Sequence, residues 1–170
     1  ERVSNRLETL PLDRWGRPGA PGVTASSGAV PFGFGITQSS TIVVSEAGAS
    51  SVSSYRLGAR GSLRTVTASL LVGQGAACWV AVSPNGRFAY TGNAAGGISG
   101  FAIARDGSLT PLGTTLVPSP RDLDFDETGR FLHVVSAGGQ VISYRVGNDG
   151  SLRLAGTAAA ATGITGAAAL

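Results

Sequence analysis

The residues best equipped for chemistry are few, and each suits a different task. Cys78 is the only cysteine and His133 the only histidine among 170 residues. A lone cysteine closes no intrachain disulfide, and the pair falls short of the ligand set of a structural zinc site. No histidine or helix start lies near Cys78 in sequence to activate a thiol, so a buried, inert side chain is expected. His133 sits within the apolar run Phe131 to Ser136 and is expected to serve a hydrogen bond in a core or between layers. Asp122, Asp124 and Asp126 alternate, so an extended strand points all three to one face. Carboxylates gathered there repel unless an arginine or a divalent cation neutralises them. The competing role for Asp126 is to cap the turn before Gly129, as Ser83 would cap an earlier turn, and no metal site is expected.

Composition removes further options. All 13 basic residues are arginine, which excludes Schiff-base lysines and the lysine of a phosphate-binding P-loop. Gly73-Gln74-Gly75 leads into no helix that could hold a phosphate, and no cofactor is expected. The arginines give a net charge of +3 but scatter from Arg2 to Arg153, with no basic cluster and no interleaved aromatic platform. Nucleic-acid binding is therefore not expected. The longest apolar stretch, Ala76 to Val82, is too short to span a bilayer, so no membrane partner is expected. A hydrophobic content of 42% excludes a disordered chain.

The elements that must position these residues come from a repeat. Gly-Ser-Leu occurs at 61–63, 107–109 and 150–152, and an aromatic residue, Tyr55, Phe101 or Tyr144, stands six residues before each copy. Gly86-Arg87-Phe88 recurs as Gly129-Arg130-Phe131. Pro31-Phe32-Gly33, Ala77-Cys78-Trp79 and Pro120-Arg121-Asp122 keep the same spacings of 46 and 43 residues. Each unit holds four short apolar runs separated by turn residues. In the last unit these are Leu123–Phe125, Phe131–Ser136, Val141–Val146 and Leu152–Gly156, with Asn148-Asp149-Gly150 as a hairpin signal. Four strands in a unit of this size make one propeller blade.

The predicted fold is therefore an all-β propeller with three complete four-stranded blades, at 31–70, 76–116 and 120–157, plus part of another. Residues 1–13 read as the end of an earlier blade, because Glu1 lies 45 residues before Glu46 and Leu7 and Leu10 fall where Val52 and Tyr55 follow. Residues 14–30, rich in Gly and Pro, read as a long interblade loop. The tail, 158–170, reads as a candidate ring-closing strand.

The chain resembles the lactonase-type seven-bladed propellers, the family of 6-phosphogluconolactonases and carboxymuconate-lactonising enzymes. The resemblance is carried by Pro31-Phe32-Gly33-Phe34, Val44-Ser45-Glu46-Ala47, Ser53-Ser54-Tyr55-Arg56-Leu57 and Ala77-Cys78-Trp79-Val80-Ala81-Val82. To these add Asp106-Gly107-Ser108-Leu109, Pro120-Arg121-Asp122 and the Gly-Ala-rich tail. It implies the C-terminal half of a seven-bladed ring. It also implies a small lactone or carboxylic acid as substrate at the mouth of the central channel, with hydrolysis or lactonising cycloisomerisation as the reaction. The family places a Pro-Arg pair where an inner strand begins and a Glu after the next strand of the same blade. Here the pair is Pro120-Arg121, whereas the Glu position is filled in earlier blades, by Glu46 and Glu1. Arg121, Glu46 and Glu1 are thus the candidate catalytic residues, and Trp79, Asp122 and Phe32 the candidate substrate-binding ones. An arginine at the mouth could hold a carboxylate or phosphate in bidentate fashion and stabilise oxyanion charge. A partly desolvated glutamate could act as general base. The alternative is a non-catalytic propeller used as a binding or scaffold module, with Arg121 tied to Asp122. Either way, a half-ring leaves two blade faces open. At ~25 cal/mol per Å² each forgoes on the order of 10 kcal/mol, so an N-terminal half or a second copy is expected to close the ring. Related bacterial propellers are often exported, which slightly favours an extracytoplasmic location.

Overall fold

The computed structural model describes residues 1–160, 163–166 and 168. A two-stranded ribbon comes first, β1 (Arg6–Thr9) antiparallel to β2 (Gly22–Ala25). Three four-stranded antiparallel meanders follow. The first blade comprises β3 (Pro31–Ile36), β4 (Thr41–Glu46), β5 (Ser51–Leu57) and β6 (Leu63–Leu71). The second comprises β7 (Gly75–Val82), β8 (Phe88–Ala95), β9 (Ile98–Ile103) and β10 (Leu109–Thr115). The third comprises β11 (Pro120–Phe125), β12 (Phe131–Ser136), β13 (Gln140–Val146) and β14 (Leu152–Ala159).

Residues 14–30 are not loop throughout. The β-branched pair Val23 and Thr24 builds β2 on β1, and an isolated bridge between Leu12 and Pro18 narrows the excursion between them. The ring-closing strand expected in 158–170 falls partly outside the described residues. Of that tail, Ala158 and Ala159 extend the outer strand β14.

Turn chemistry fixes where the outer strands begin. Asp106 accepts hydrogen bonds from the Ser108 amide (3.0 Å) and hydroxyl (2.7 Å), and Asp149 does the same with Ser151 at the same distances. Gly107 and Gly150 follow at φ +91° and +81°, where a side chain would be strained. The first blade has Arg60 in place of the aspartate and forms a 3₁₀ turn, Ala59–Gly61, instead. Asp126 caps its turn by accepting from the Phe131 amide at 2.8 Å, as Ser83 does from Phe88 at 2.9 Å.

These turns predict a response to acid. The Ser108 amide and hydroxyl hold the Asp106 carboxyl below the usual carboxylate range, and the Ser151 hydroxyl and amide do the same for Asp149. The folded values lie below the unfolded value of about 3.9. The stabilisation is therefore complete well above that value and is lost as pH falls through the lower folded ones. The thermal midpoint is expected to drop below about pH 4, and to drop less in the double variant Asp106→Asn, Asp149→Asn, measured by circular dichroism across the acid range.

Blades stack through alternating apolar faces. Between the first and second, Val43, Val52, Ala77, Ala89 and Phe101 are buried together. Between the second and third, Tyr90, Ile98, Leu123, Phe125, Leu132 and Val134 form the largest cluster. The Tyr90 hydroxyl donates to the Gly150 carbonyl at 2.7 Å, and burial pushes its pKa up. Leu7 of the ribbon packs beside Ile42, Val44 and Tyr55 of the first blade.

Candidate functional site

All three inner strands break register near the same end. The ladder skips between Pro31 and Phe34 on β3, between Ala77 and Trp79 on β7, and between Pro120 and Asp122 on β11. The residues left outside it are Phe32 with Gly33, then Cys78, then Arg121. A bulge bends the strand and re-aims the side chain it frees. Phe32, Cys78 and Arg121 therefore occupy one structural position in three successive blades, each released from ladder pairing.

The bulges are tied to one another. The Gly33 amide donates to the Ser45 hydroxyl at 3.0 Å, and that hydroxyl donates onward to the Cys78 carbonyl at 2.5 Å. The Phe32 ring meets Trp79 edge-on, with centroids 6.1 Å apart, and the Arg2 guanidinium lies 5.1 Å from the Phe32 centroid. Gly92 lies beneath Leu123, whose Cδ2 would stand 2.8 Å from a Cβ there, while Trp79 and Pro120 would be in ordinary contact with it at 3.5 and 3.6 Å. Burial pushes the Cys78 thiol up in pKa, and the charges of Arg121 and Arg2 pull partly against it. Arg2 thus stands against the aromatic pair, and the charges of Arg121 and Arg2 both reach the buried Cys78 thiol. Arg121 is exposed, and among the described residues no hydrogen bond or ion pair engages its guanidinium. The bulge with its cation is suited to anion binding.

The candidate carboxylates are placed differently. Glu46 is fully buried, and its carboxyl turns towards β5 and the segment between β2 and β3. Oε1 accepts from the Gly28 amide (2.7 Å), the Ser53 hydroxyl (2.6 Å) and the Ser26 hydroxyl (3.2 Å), while Oε2 accepts from Ser51. The equivalent register position in the second blade is Asn93, opposite Ala77, as Glu46 is opposite Pro31. Asn93 donates to Ser99 at 2.9 Å, and Ser99 donates to the Val72 carbonyl at 3.0 Å. In both blades a buried polar residue at the end of the second strand fastens the segment that leads into that blade. Glu46 fits this fastening role, which its neighbours Ser26 and Gly28 made hard to foresee because they lie in a stretch expected to be loop.

Glu1 is exposed and bonded to Ser4, and with Leu7, Phe32 and Phe34 it lines a cavity of about 260 Å³. Asp122 is half-buried, accepts from the Leu123 amide at 2.9 Å, and lies close to Gly166 of the tail. His133 holds the Ser143 hydroxyl at 2.8 Å through Nδ1, on the face of the third blade that also carries Asp124. Among the described residues no three His, Cys, Asp or Glu side chains gather closely enough to hold a metal ion, and no helix is long and apolar enough to cross a membrane. The structure thus brings together Phe32, Trp79 and Arg2, sets Arg121 on the equivalent bulge of the third blade, and turns the Glu46 carboxyl to Ser26, Gly28, Ser51 and Ser53. Arg2 escaped the sequence reading because nothing around it repeats.

Comparison with known proteins is consistent with this geometry. Residues 37–167 match the family described as lactonase, 7-bladed β-propeller. Curated proteins yield no match. Among solved structures, a Lactobacillus plantarum protein superposes with a TM-score of 0.80 at 18% identity, covering 93% of this chain and 50% of the other. A candidate 6-phosphogluconolactonase from Bacteroides uniformis gives 0.81 at 17% identity, covering 94% and 50%. The periplasmic gluconolactonase of Pseudomonas aeruginosa gives 0.70 at 22% identity, covering 93% and 50%. The chain spans about half the length of these structures.

Proposed function

Because the chain belongs to the lactonase, 7-bladed β-propeller family, we propose that it forms about half of a ring that takes a small lactone or carboxylic acid at its channel mouth and hydrolyses the lactone. The observation that carries this reading is the repeated bulge, which leaves Arg121 exposed, with no hydrogen bond or ion pair among the described residues, at the position that Phe32 holds in the first blade, where Phe32 meets Trp79. In hydrolysis, water adds to the lactone carbonyl carbon, the carbonyl oxygen gains negative charge, and the ring C–O bond breaks as a proton reaches the departing oxygen. A guanidinium aimed at the carbonyl oxygen stabilises that charge, and aimed at a substrate carboxylate it fixes orientation. Trp79 and Phe32 wall the site, and Asp122 borders it. Glu1, which with Glu8 lines the cavity beside Phe32, is the better placed of the two candidate glutamates for proton transfer.

The test is hydrolysis of D-glucono-1,5-lactone by the closed ring, with Arg121→Ala beside it. Loss of a charge-assisted contact of about 1.5–3 kcal/mol corresponds to a ten- to hundredfold drop in kcat/KM. Activity indifferent to the substitution would remove Arg121 from the site. A second reading, a propeller that binds without catalysis, is favoured by one observation: the Glu46 carboxyl is enclosed by four donors and leaves no accessible acceptor for a proton. Binding of gluconate that requires Arg121, without turnover of the lactone, would establish that reading instead.

A further inference from the structure

We infer that the end of the propeller opposite the bulges docks on an anionic lipid bilayer, with the hairpin around Trp15 entering the lipid–water interface. The bulges mark one end of each blade, where Pro31 pairs with Glu46 and Glu46 with Ser51. The β3–β4 and β5–β6 turns, and their counterparts in the next two blades, therefore lie at the other end. The Thr9 hydroxyl donates to the Gly61 carbonyl at 2.6 Å, which sets the β1–β2 excursion at that same end. Arginines scattered along the chain are gathered here by the fold. The first blade contributes Arg56, Arg60 and Arg64, and the second Arg87 and Arg105. The third contributes Arg130, Arg145 and Arg153, and the excursion adds Arg14 and Arg17. Ten of the 13 arginines and seven of the ten acidic residues thus lie in these turns or within two residues of them. The surplus equals the chain's net charge of +3, so the remainder of the chain is neutral. All of these arginines except Arg56 are exposed. Four of the acids, Asp13, Asp106, Asp126 and Asp149, accept from backbone amides of their own turns. Their short side chains stay at the backbone, while the longer guanidiniums reach past them.

The excursion is built to hold a tryptophan out. It runs for 12 residues, 10–21, whereas the equivalent turn of the first blade closes in five, 58–62. Asp13 Oδ1 accepts from the Trp15 and Arg17 amides at 2.8 and 2.9 Å. The Asp13 amide donates to the Arg17 carbonyl at 3.0 Å, and Gly16 turns the tip at φ +78°. On this fixed tip Trp15 stands 65% exposed, and Leu12 beside it 66%. The Arg14 guanidinium lies 3.8 Å from the Trp15 ring centroid and that of Arg17 5.6 Å. An indole flanked by guanidiniums suits the boundary of a bilayer. The ring takes the edge of the acyl region, and the indole N–H and the arginines take headgroup phosphates. Leu12 adds apolar surface to the same insertion. The arginines of the blades then face the plane where an anionic leaflet concentrates its charge. Docking of this kind lies on the bilayer and needs no spanning segment. A nucleic acid is a poorer occupant, because Arg14 and Arg17 already lie against the ring on which a base would stack.

The experiment follows co-flotation of the protein, in the assembly isolated from its own cells, with phosphatidylcholine vesicles that contain or lack phosphatidylglycerol. Binding to the phosphatidylglycerol vesicles is expected to be about tenfold tighter or more, and to weaken as salt is added. Brominated lipid should quench a part of the tryptophan emission that is missing in Trp15→Ser. The double variant Leu12→Ser, Trp15→Ser and the triple variant Arg64→Gln, Arg105→Gln, Arg145→Gln should each lower the affinity about tenfold or more. The thermal midpoint should not move in either, because all five side chains are exposed. Arg121→Ala, which removes a charge at the bulge end, should leave vesicle binding as it was. Equal binding to both kinds of vesicle, an affinity that either multiple variant leaves intact, or an equal loss in Arg121→Ala would overturn the inference. So would retention of duplex DNA or polyglutamate by a protein that ignores the vesicles.

Discussion

Replacing Glu46 with leucine is expected to lower the stability of the fold by about 3–5 kcal/mol, because the group removed is the acceptor for four donors. The Gly28 amide and the hydroxyls of Ser26, Ser51 and Ser53 all point at it. Ser51 and Ser53 are themselves fully buried, so water cannot replace the lost partner at either. A buried donor left unpaired costs about 1–3 kcal/mol. The segment 26–28 also loses its anchor to the blade, which should raise amide exchange there before it rises in β4. Glu46→Gln retains one acceptor oxygen and should cost roughly half as much. Urea denaturation of the chain in its assembled form measures both. A loss under about 1 kcal/mol for leucine would mean that water enters the site and that Glu46 is available for chemistry after all.

The second large effect is expected at Gly33. A Cβ there would collide with the Cys78 carbonyl and stand 3.2 Å from the Trp79 Cα and the Val80 nitrogen. All three obstacles are backbone atoms of β7, and none can swing aside as a flexible side chain would. Gly33→Ala must therefore push the first blade from the second or undo the bulge on β3, at about 3 kcal/mol. Because Ser45 links Gly33 to the Cys78 carbonyl, the disturbance should reach the Phe32–Trp79 contact and change tryptophan fluorescence. Gly156→Ala makes the control, since nothing lies within 4 Å of a Cβ at that position. If Gly33→Ala were as harmless as the control, the close approach of β3 to β7 would be wrong.

Most of the architecture was legible because the repeat is written in residues with local duties. Gly107 and Gly150 are needed by their turns, Asp106 and Asp149 by their serines, and Phe101 and Tyr144 by burial, so the period shows through. β2 was missed because a four-residue strand with only Val23 and Thr24 favouring extension depends on β1 for its formation. The site was less legible for two physical reasons. A bulge adds a residue without a compositional mark, so nothing in the sequence showed that Phe32, Cys78 and Arg121 leave the ladder, although the repeat set them at one position. The fate of Glu46 depended on Ser26 and Gly28, which reach it across 20 and 18 residues of sequence that carried no pattern.

The bulges have a consequence for how such a protein can change. A residue inside a ladder answers to two neighbours across the strand and to the blade beyond it, and substitution there is felt at once. Phe32, Cys78 and Arg121 lie outside that arithmetic, and the chain already holds an aromatic ring, a thiol and a cation at one repeated place. Preference for one ligand over another can therefore drift by single exchanges at the two exposed points, 32 and 121, while the buried thiol and its neighbours hold the scaffold constant. A library confined to positions 32 and 121 should keep an unusually high fraction of folded members and spread them widely in what they bind.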